Sequence, residues 1–248
     1  MSTATVTQEK PVLAPEPRWK DLHTVGGIAC IVSELIILFG IVAYFIWPYM
    51  PGYTTTAQIF SFIQTDPLGG LMALDFFLLI GNLGSILIFL ALYISLRRIN
   101  ESYALIALVL GLVAMILIVP ARPIAEMFTL SNLYTSAATE TARSQALAAG
   151  DALHSLFNGT GWIVNTVFGG ISLLISSILM LRSRVFGKAA AWVGIVTNAA
   201  VLLFFLPGQI GTLLLFLSLP GYMVWYVQLA LKFFRQGRAA EGSSSTPE

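Results

Sequence analysis

Apolar positions in this chain gather into six long runs, and polar positions collect between them. The runs are Gly26 to Trp47, Gly69 to Leu96, Tyr103 to Pro120, Gly161 to Leu181, Ala189 to Leu206 and Gln209 to Leu231. A helix needs about 20 mostly apolar residues to cross a bilayer, and each run is close to that length. None alternates with the period of two that a membrane-barrel strand requires. Backbone exposed to lipid must bond within its own segment, so the pattern predicts helices. The expected fold is all-α, a polytopic bundle of six transmembrane helices with a short helical cap on the outer face. Residues 25–234 form that domain. Residues 1–24, with Pro11, Pro15 and Pro17, and residues 235–248, ending in a Gly-Ser-Thr tail, are expected to be disordered cytoplasmic segments. The first run is too long and arrives too late for a signal peptide.

The two long linkers carry patterns of their own. Between the first two runs, Thr54-Thr55-Thr56 is followed by Ile59, Phe60, Phe62 and Ile63, which predicts a short interfacial helix. From Ala121 to Thr160 apolar and polar residues alternate at helical spacing, and Thr139 to Ala149 is a good helix-forming stretch. The third and fourth spans are therefore expected to extend beyond the bilayer as helices and build the cap.

Charge fixes the orientation of this pattern. Only 10% of residues are charged and 57% are hydrophobic, against about 25% charged in a soluble domain. Of the thirteen Lys and Arg, eleven fall on one side of the six-span scheme: Lys10, Arg18, Lys20, Arg97, Arg98, Arg182, Arg184, Lys188, Lys232, Arg235 and Arg238. Arg122 and Arg143 fall on the other. The positive-inside rule makes the crowded side cytoplasmic, so both termini are cytoplasmic. Trp47, Tyr49 and Tyr53 at one boundary, and Trp19 and Tyr103 at the other, read as interfacial anchors. The single cysteine, Cys30, excludes an internal disulfide and reads as a buried structural thiol. The surrounding partner is the lipid bilayer, with a small solute or lipid as the ligand class. No nucleic acid, cofactor or metal is expected, and the sequence sets no oligomeric state.

Ionisable groups within spans are costly, so their positions are informative. Glu34 lies in the first span and Asp75 in the second, with Asn82 and Ser85 continuing the Asp75 face. Arg122 and Glu126, four apart at the outer end of the third span, are placed to pair, and Arg122 is also within reach of Asp75. The fourth span carries a stripe at spacings of three and four: Asp151, His154, Asn158, Gly161, Asn165, Gly169, Ser172 and Ser176. Asn198 lies at mid-depth in the fifth. The stripe reads as packing, since small residues and Ser or Asn join helices. Alternatively, its outer end lines a polar cavity formed by Asp75, Asn82, Arg122, Glu126, Asp151, His154, Asn158 and Asn165. His154 there could act as acid, base or pH sensor. His23 lies at the opposite face, which argues against bis-histidine haem ligation and a multi-histidine zinc site. Asn158-Gly159-Thr160 matches a glycosylation sequon by chance-level spacing, and neither a nucleophile elbow nor a phosphate loop is present. Pro220-Gly221 predicts a kink within the sixth span, and Pro207-Gly208 a tight turn before it.

One set of motifs carries a resemblance. Ala73-Leu74-Asp75-Phe76-Phe77, Leu90-Ala91-Leu92-Tyr93 and Arg97-Arg98-Ile99-Asn100 resemble the second span of a bacterial membrane family, domain of unknown function four-three-eight-six. Glu34, Leu153-His154 and the Arg182 to Gly187 turn are similar to it as well, and the likeness covers about Gly26 to Lys232. The chain departs from it at Asn82 and Gly161-Trp162. The resemblance implies a six-helix membrane fold in a bacterial inner membrane and no known activity. Three functions stay open on the sequence: a transporter or sensor with an outward polar cavity, an intramembrane enzyme acting on a lipid or amphiphile, and a structural or regulatory membrane partner.

Overall fold

A computed structural model describes residues 16–46, 54–183, 185–205 and 209–244. The expectations for Trp47, Tyr49, Tyr53, Arg184, the Pro207-Gly208 turn and the first fifteen residues lie outside the described residues. Among the described residues all regular structure is helical: α1 Lys20–Ile46, α2 Thr56–Thr65, α3 Pro67–Ala73, α4 Phe76–Leu96, α5 Glu101–Leu117, α6 Ile124–Ser136, α7 Glu140–Ser155, α8 Thr160–Arg182, α9 Lys188–Leu202 and α10 Gln209–Ser244. Single 3-10 turns cover Pro17–Trp19, Leu156–Asn158 and Leu203–Phe205.

Each apolar run contains one long helix: α1, α4, α5, α8, α9 and α10. Three stretches are long and apolar enough to cross a membrane, Pro17–Ala43, Phe76–Leu96 and Glu140–Arg182, while α5 and α9 are shorter apolar helices. The six long helices pack as a closed ring in chain order, α1 on α4, α4 on α5, α5 on α8, α8 on α9, α9 on α10, and α10 back on α1. Leu92, Met180, Trp225 and Phe233 are buried in its core. The outward surface is apolar, with Phe45 79% and Val196 65% exposed. That is the reverse of a water-facing helix and suits contact with lipid.

The remaining helices form a cap at one end. Here α2 packs on α3, α6 and α7, and α6 packs on α7, around a separate core of Ile59, Phe60, Ile63, Leu74, Met127 and Phe157. Thr55 opens α2 with a capping box, its Oγ1 accepting from Gln58 N while Gln58 Oε1 accepts from Thr55 N, so two orphan donors are satisfied. Thr139 caps α7 with a single bond, Ala142 N donating to its Oγ1 at 3.2 Å. The opposite end joins the start of α1 to the α4–α5 turn and the end of α10. Glu16 pairs there with Arg97 and Arg98, and Lys20 with Glu241.

Several boundaries differ from the sequence reading. The cap is built from separate helices and not from extended spans, because Pro120 and Pro123 lack an amide donor and stop the chain between α5 and α6. The apparent fourth-span stripe is split by the 3-10 turn at Leu156–Asn158 and extended Gly159. The second run breaks at Leu74–Asp75, where Asp75 takes φ 55°. Helix α10 is continuous through Pro220, so no break follows there. It also continues to Ser244, making residues 235–244 helical. Ala240 is fully buried, and the Lys20–Glu241 pair at 2.6 Å ties this end to α1. Likewise, Pro17–Trp19 form a 3-10 turn and Lys20 opens α1, inside the segment expected to lack order.

Candidate functional site

The break before α4 and the break before α6 meet. Asp75 sits in the left-handed region, which L-residues other than Asn and Asp rarely enter. As the N-cap of α4 its side chain makes no capping bond. It reaches instead to Arg122, whose Nε lies 3.1 Å from Asp75 Oδ2. Arg122 precedes α6, so it is not on a shared helical face with Glu126, which is exposed. Its guanidinium is otherwise well held. Nη1 donates to Ala121 O at 2.9 Å and Phe157 O at 3.0 Å, and Cζ lies 5.0 Å and 4.9 Å from the ring centroids of Phe157 and Trp162. Cation–π contact of this kind stabilises a desolvated guanidinium. Only 2% of the Arg122 side chain is exposed, so the pair acts as a bolt between the two chain breaks.

Inside the ring lies a cavity of about 230 Å³. All six long helices line it, with Ser33 from α1, Asn82 from α4, Met115 from α5, Asn165 from α8, Val201 from α9 and Ser218 from α10. Trp162, whose ring holds Arg122, also lines this space. Asn165 Nδ2 donates to Ala114 O at 2.9 Å and approaches Asn82 Oδ1 at 3.4 Å. Asn82 Nδ2 donates back to Leu78 O at 2.8 Å. Ser172, lower on α8, donates to Ala107 O of α5. Thus the inner part of the α8 stripe joins helices, and Asn82 and Asn165 also face the cavity. The described lining is mostly aliphatic and aromatic, with hydroxyls and amides among it and no carboxylate, imidazole or amine.

The other sequence candidates lie elsewhere. His154 is half-buried in the cap, its Nδ1 3.2 Å from Thr56 Oγ1 and its ring 5.8 Å from that of Phe157. Asp151 and Asn158 are exposed. Glu34 is buried on α1 with Oε2 lacking a hydrogen-bond partner among the described residues. Asn198 is fully buried and bonded on both sides, donating to Gly194 O and accepting from Tyr222 Oη at 2.8 Å. Of the eight residues read as one polar cavity, the structure brings Asp75 to Arg122 and Asn82 to Asn165, while only Asn82 and Asn165 line the bundle cavity. Sequence reasoning missed Phe157 and Trp162 as the aromatic cradle of Arg122, and Tyr222 and Tyr226 as cavity wall. The proximity of Phe157 and Trp162 to the start of the fourth apolar run was the one signal pointing to the cradle.

Two comparisons found nothing: no curated protein and no solved structure matches the chain. A family model described as a domain of unknown function (DUF4386) matches residues 28–232.

Proposed function

The chain belongs to that family, whose domain covers most of its length, and from this premise we propose that it is a six-span, multi-pass protein of a bacterial inner membrane, with both termini cytoplasmic, that binds a small uncharged solute within its bundle as a transporter or sensor. The observation that carries the reading is the cavity lined by all six long helices. Its volume of about 230 Å³ falls below the roughly 300 Å³ at which pockets for drug-sized ligands begin. Its neutral hydrogen-bonding groups, Asn82, Asn165, Ser33 and Ser218, suit an uncharged polar or amphiphilic guest. Six spans are supported by the ring of six helices, the apolar outward surface, and the nine-to-two division of Lys and Arg between its ends among the described residues. The 3-10 turn Leu203–Phe205 lengthens α9 toward spanning length.

A structural or regulatory role is the second reading. It is favoured by the Asn165 and Ser172 bonds to α5 carbonyls, which join helices without any ligand. The intramembrane-enzyme alternative draws on His154 with a carboxylate, and His154 contacts Thr56 in the cap, away from the bundle cavity.

Gly169→Leu separates binding from scaffolding. A β-carbon at Gly169 would stand 3.8 Å from Ala114 Cβ and 3.9 Å from Met115 Cε, an ordinary contact, and the added side chain grows into the cavity. Thermal shift and equilibrium dialysis of purified protein with glycerol, short-chain alcohols and indole are expected to show a saturable ligand that Gly169→Leu no longer binds. If every ligand found binds the variant as well as the parent, the cavity is not the site. Orientation is tested with impermeant maleimide on Thr141→Cys and Lys188→Cys in intact cells, Cys30 being fully buried. Labelling of Lys188→Cys before lysis would reverse the proposed topology.

A further inference from the structure

The end of the bundle opposite the cap holds a second cavity, of about 240 Å³. It lies where the start of α1, the end of α4 and the last turns of α10 converge. Its wall includes Trp19, His23, Arg98, Lys232, Arg235 and Gln236, with Glu16 as its carboxylate. That carboxylate is already engaged on both oxygens. Oε1 accepts from Arg97 Nη2 at 2.8 Å and Arg98 Nη2 at 2.7 Å, and Oε2 accepts from Arg18 Nε at 2.6 Å and Trp19 Nε1 at 3.2 Å. Lys232 and Arg235 form no ion pair among the described residues. The cavity therefore presents two cations that Glu16 does not neutralise.

Its deeper wall is polar and unsatisfied. Gln236 is 7% exposed, and its amide lies 3.1 Å from Ser95 Oγ, whose single proton goes to Ala91 O at 2.8 Å, so the amide nitrogen donates to Ser95. His23 is 2% exposed, and its Nδ1 has no hydrogen-bond partner among the described residues. A buried polar nitrogen is seldom left alone in a folded protein, and one in a cavity wall points to a polar ligand. Two cations that Glu16 does not neutralise favour an anion as that ligand. Trp19, with the Arg18 and Arg97 guanidinium carbons 5.3 Å and 5.5 Å from its ring centroid, is the residue type that settles at a membrane–water boundary.

We propose that this cavity is a binding site for the phosphate of a phosphate ester, with Lys232 and Arg235 supplying the charge beside the unpartnered His23. The site is independent of the solute cavity, from which it is separated along the bundle. The ester is either a membrane lipid headgroup or a soluble phosphate, and one experiment distinguishes them. Full-length protein is placed in nanodiscs of phosphatidylcholine alone, or of phosphatidylcholine with phosphatidylglycerol, and thermal unfolding is followed with and without inorganic phosphate. Lipid retained through purification is read by native mass spectrometry.

A rise in Tm with phosphatidylglycerol that disappears in Lys232→Gln/Arg235→Gln assigns the site to a lipid headgroup. A rise with inorganic phosphate in phosphatidylcholine, lost in the same variant, assigns it to a soluble phosphate. In either case anion binding should weaken about thirtyfold in the double variant, the loss expected of two interfacial cations. Lys188→Gln, whose exposed cation lies outside the cavity, should leave it unchanged. Equal responses of parent and double variant to both anions overturn the proposal, as does a loss in Lys188→Gln equal to that in the double variant. The variants' own Tm in phosphatidylcholine without phosphate reports whether they still fold.

Discussion

Replacing Asp75 by Asn removes one charge from the bolt between the two chain breaks and changes little else. Asn keeps the shape of the side chain and tolerates the left-handed backbone at φ 55°, so the substitution isolates the ion pair. Arg122 would keep its two carbonyl acceptors and both aromatic rings. Removing one partner from a buried ion pair costs roughly 3–5 kcal/mol. Here the Asp75 side chain is 17% exposed, which lets water compensate in part, and the rings continue to stabilise the cation. The expected loss is therefore about 2–3 kcal/mol.

The assay is reversible unfolding in mixed micelles of mild detergent with increasing SDS, for the parent, Asp75→Asn, Arg122→Met and the double variant. The coupling energy from this cycle removes effects that each change has alone. We expect coupling of about 2 kcal/mol, with the double variant more stable than the sum of the two single losses implies. Additive effects would mean that the two side chains are neighbours without mutual stabilisation, and the account of Arg122 as a residue held by Asp75 would fail.

Three further outcomes follow from the packing. Gly111→Ala would set a β-carbon 2.6 Å from the ring of Phe89, which is 3% exposed and cannot yield freely; a loss of about 1–3 kcal/mol is expected in the same SDS titration. Tyr222→Phe leaves buried Asn198 Oδ1 without its donor, at an expected cost of about 1–3 kcal/mol, and a neutral result would mean that another group satisfies it. Glu16 is held at about 2 against an ordinary value of 4.5, chiefly by its bond from Arg98 and also by those from Arg18 and Arg97. Its folded-state value is depressed, so its contribution is fully present above pH 4.5 and is lost as pH falls through about 2. Trp19 fluorescence, whose Nε1 bonds Glu16, should titrate in that window in the parent and not in Glu16→Gln.

The long helices were legible because lipid-facing sequence leaves few alternatives: each of the six apolar runs holds one helix of the ring. Asp75 and Arg122 were also recognisable as partners, since an isolated charge in apolar surroundings calls for a counter-ion. Where the reading stopped short, local pattern was ambiguous. The spacing from Asn158 to Gly161 to Asn165 is helical, so the stripe looked continuous, yet Leu156–Asn158 is a 3-10 turn that re-aims the chain. Nothing in Leu74-Asp75-Phe76 resembles a breaker; the left-handed turn there is selected by the Arg122 contact and by burial of Leu74. The cavity wall was hidden for a different reason. Tyr222 and Ser218 line it only because α10 returns to α1, a tertiary fact that no periodicity records.

That return has a consequence for biogenesis. Neighbours around the ring are neighbours along the chain, so each helix can dock on its predecessor as it emerges, with short-range contacts assembling an open arc. The seam between α1 and α10 is different. It is the most extensive pairing in the bundle, its partners lie far apart in the chain, and Lys20 and Glu241 fasten one end of it. Until α10 arrives, one wall of the bundle cavity does not exist and the side of α1 that α10 covers is open. A chain released before α10 would carry an open arc of five docked helices, so the arrival of α10 is the step that closes the ring.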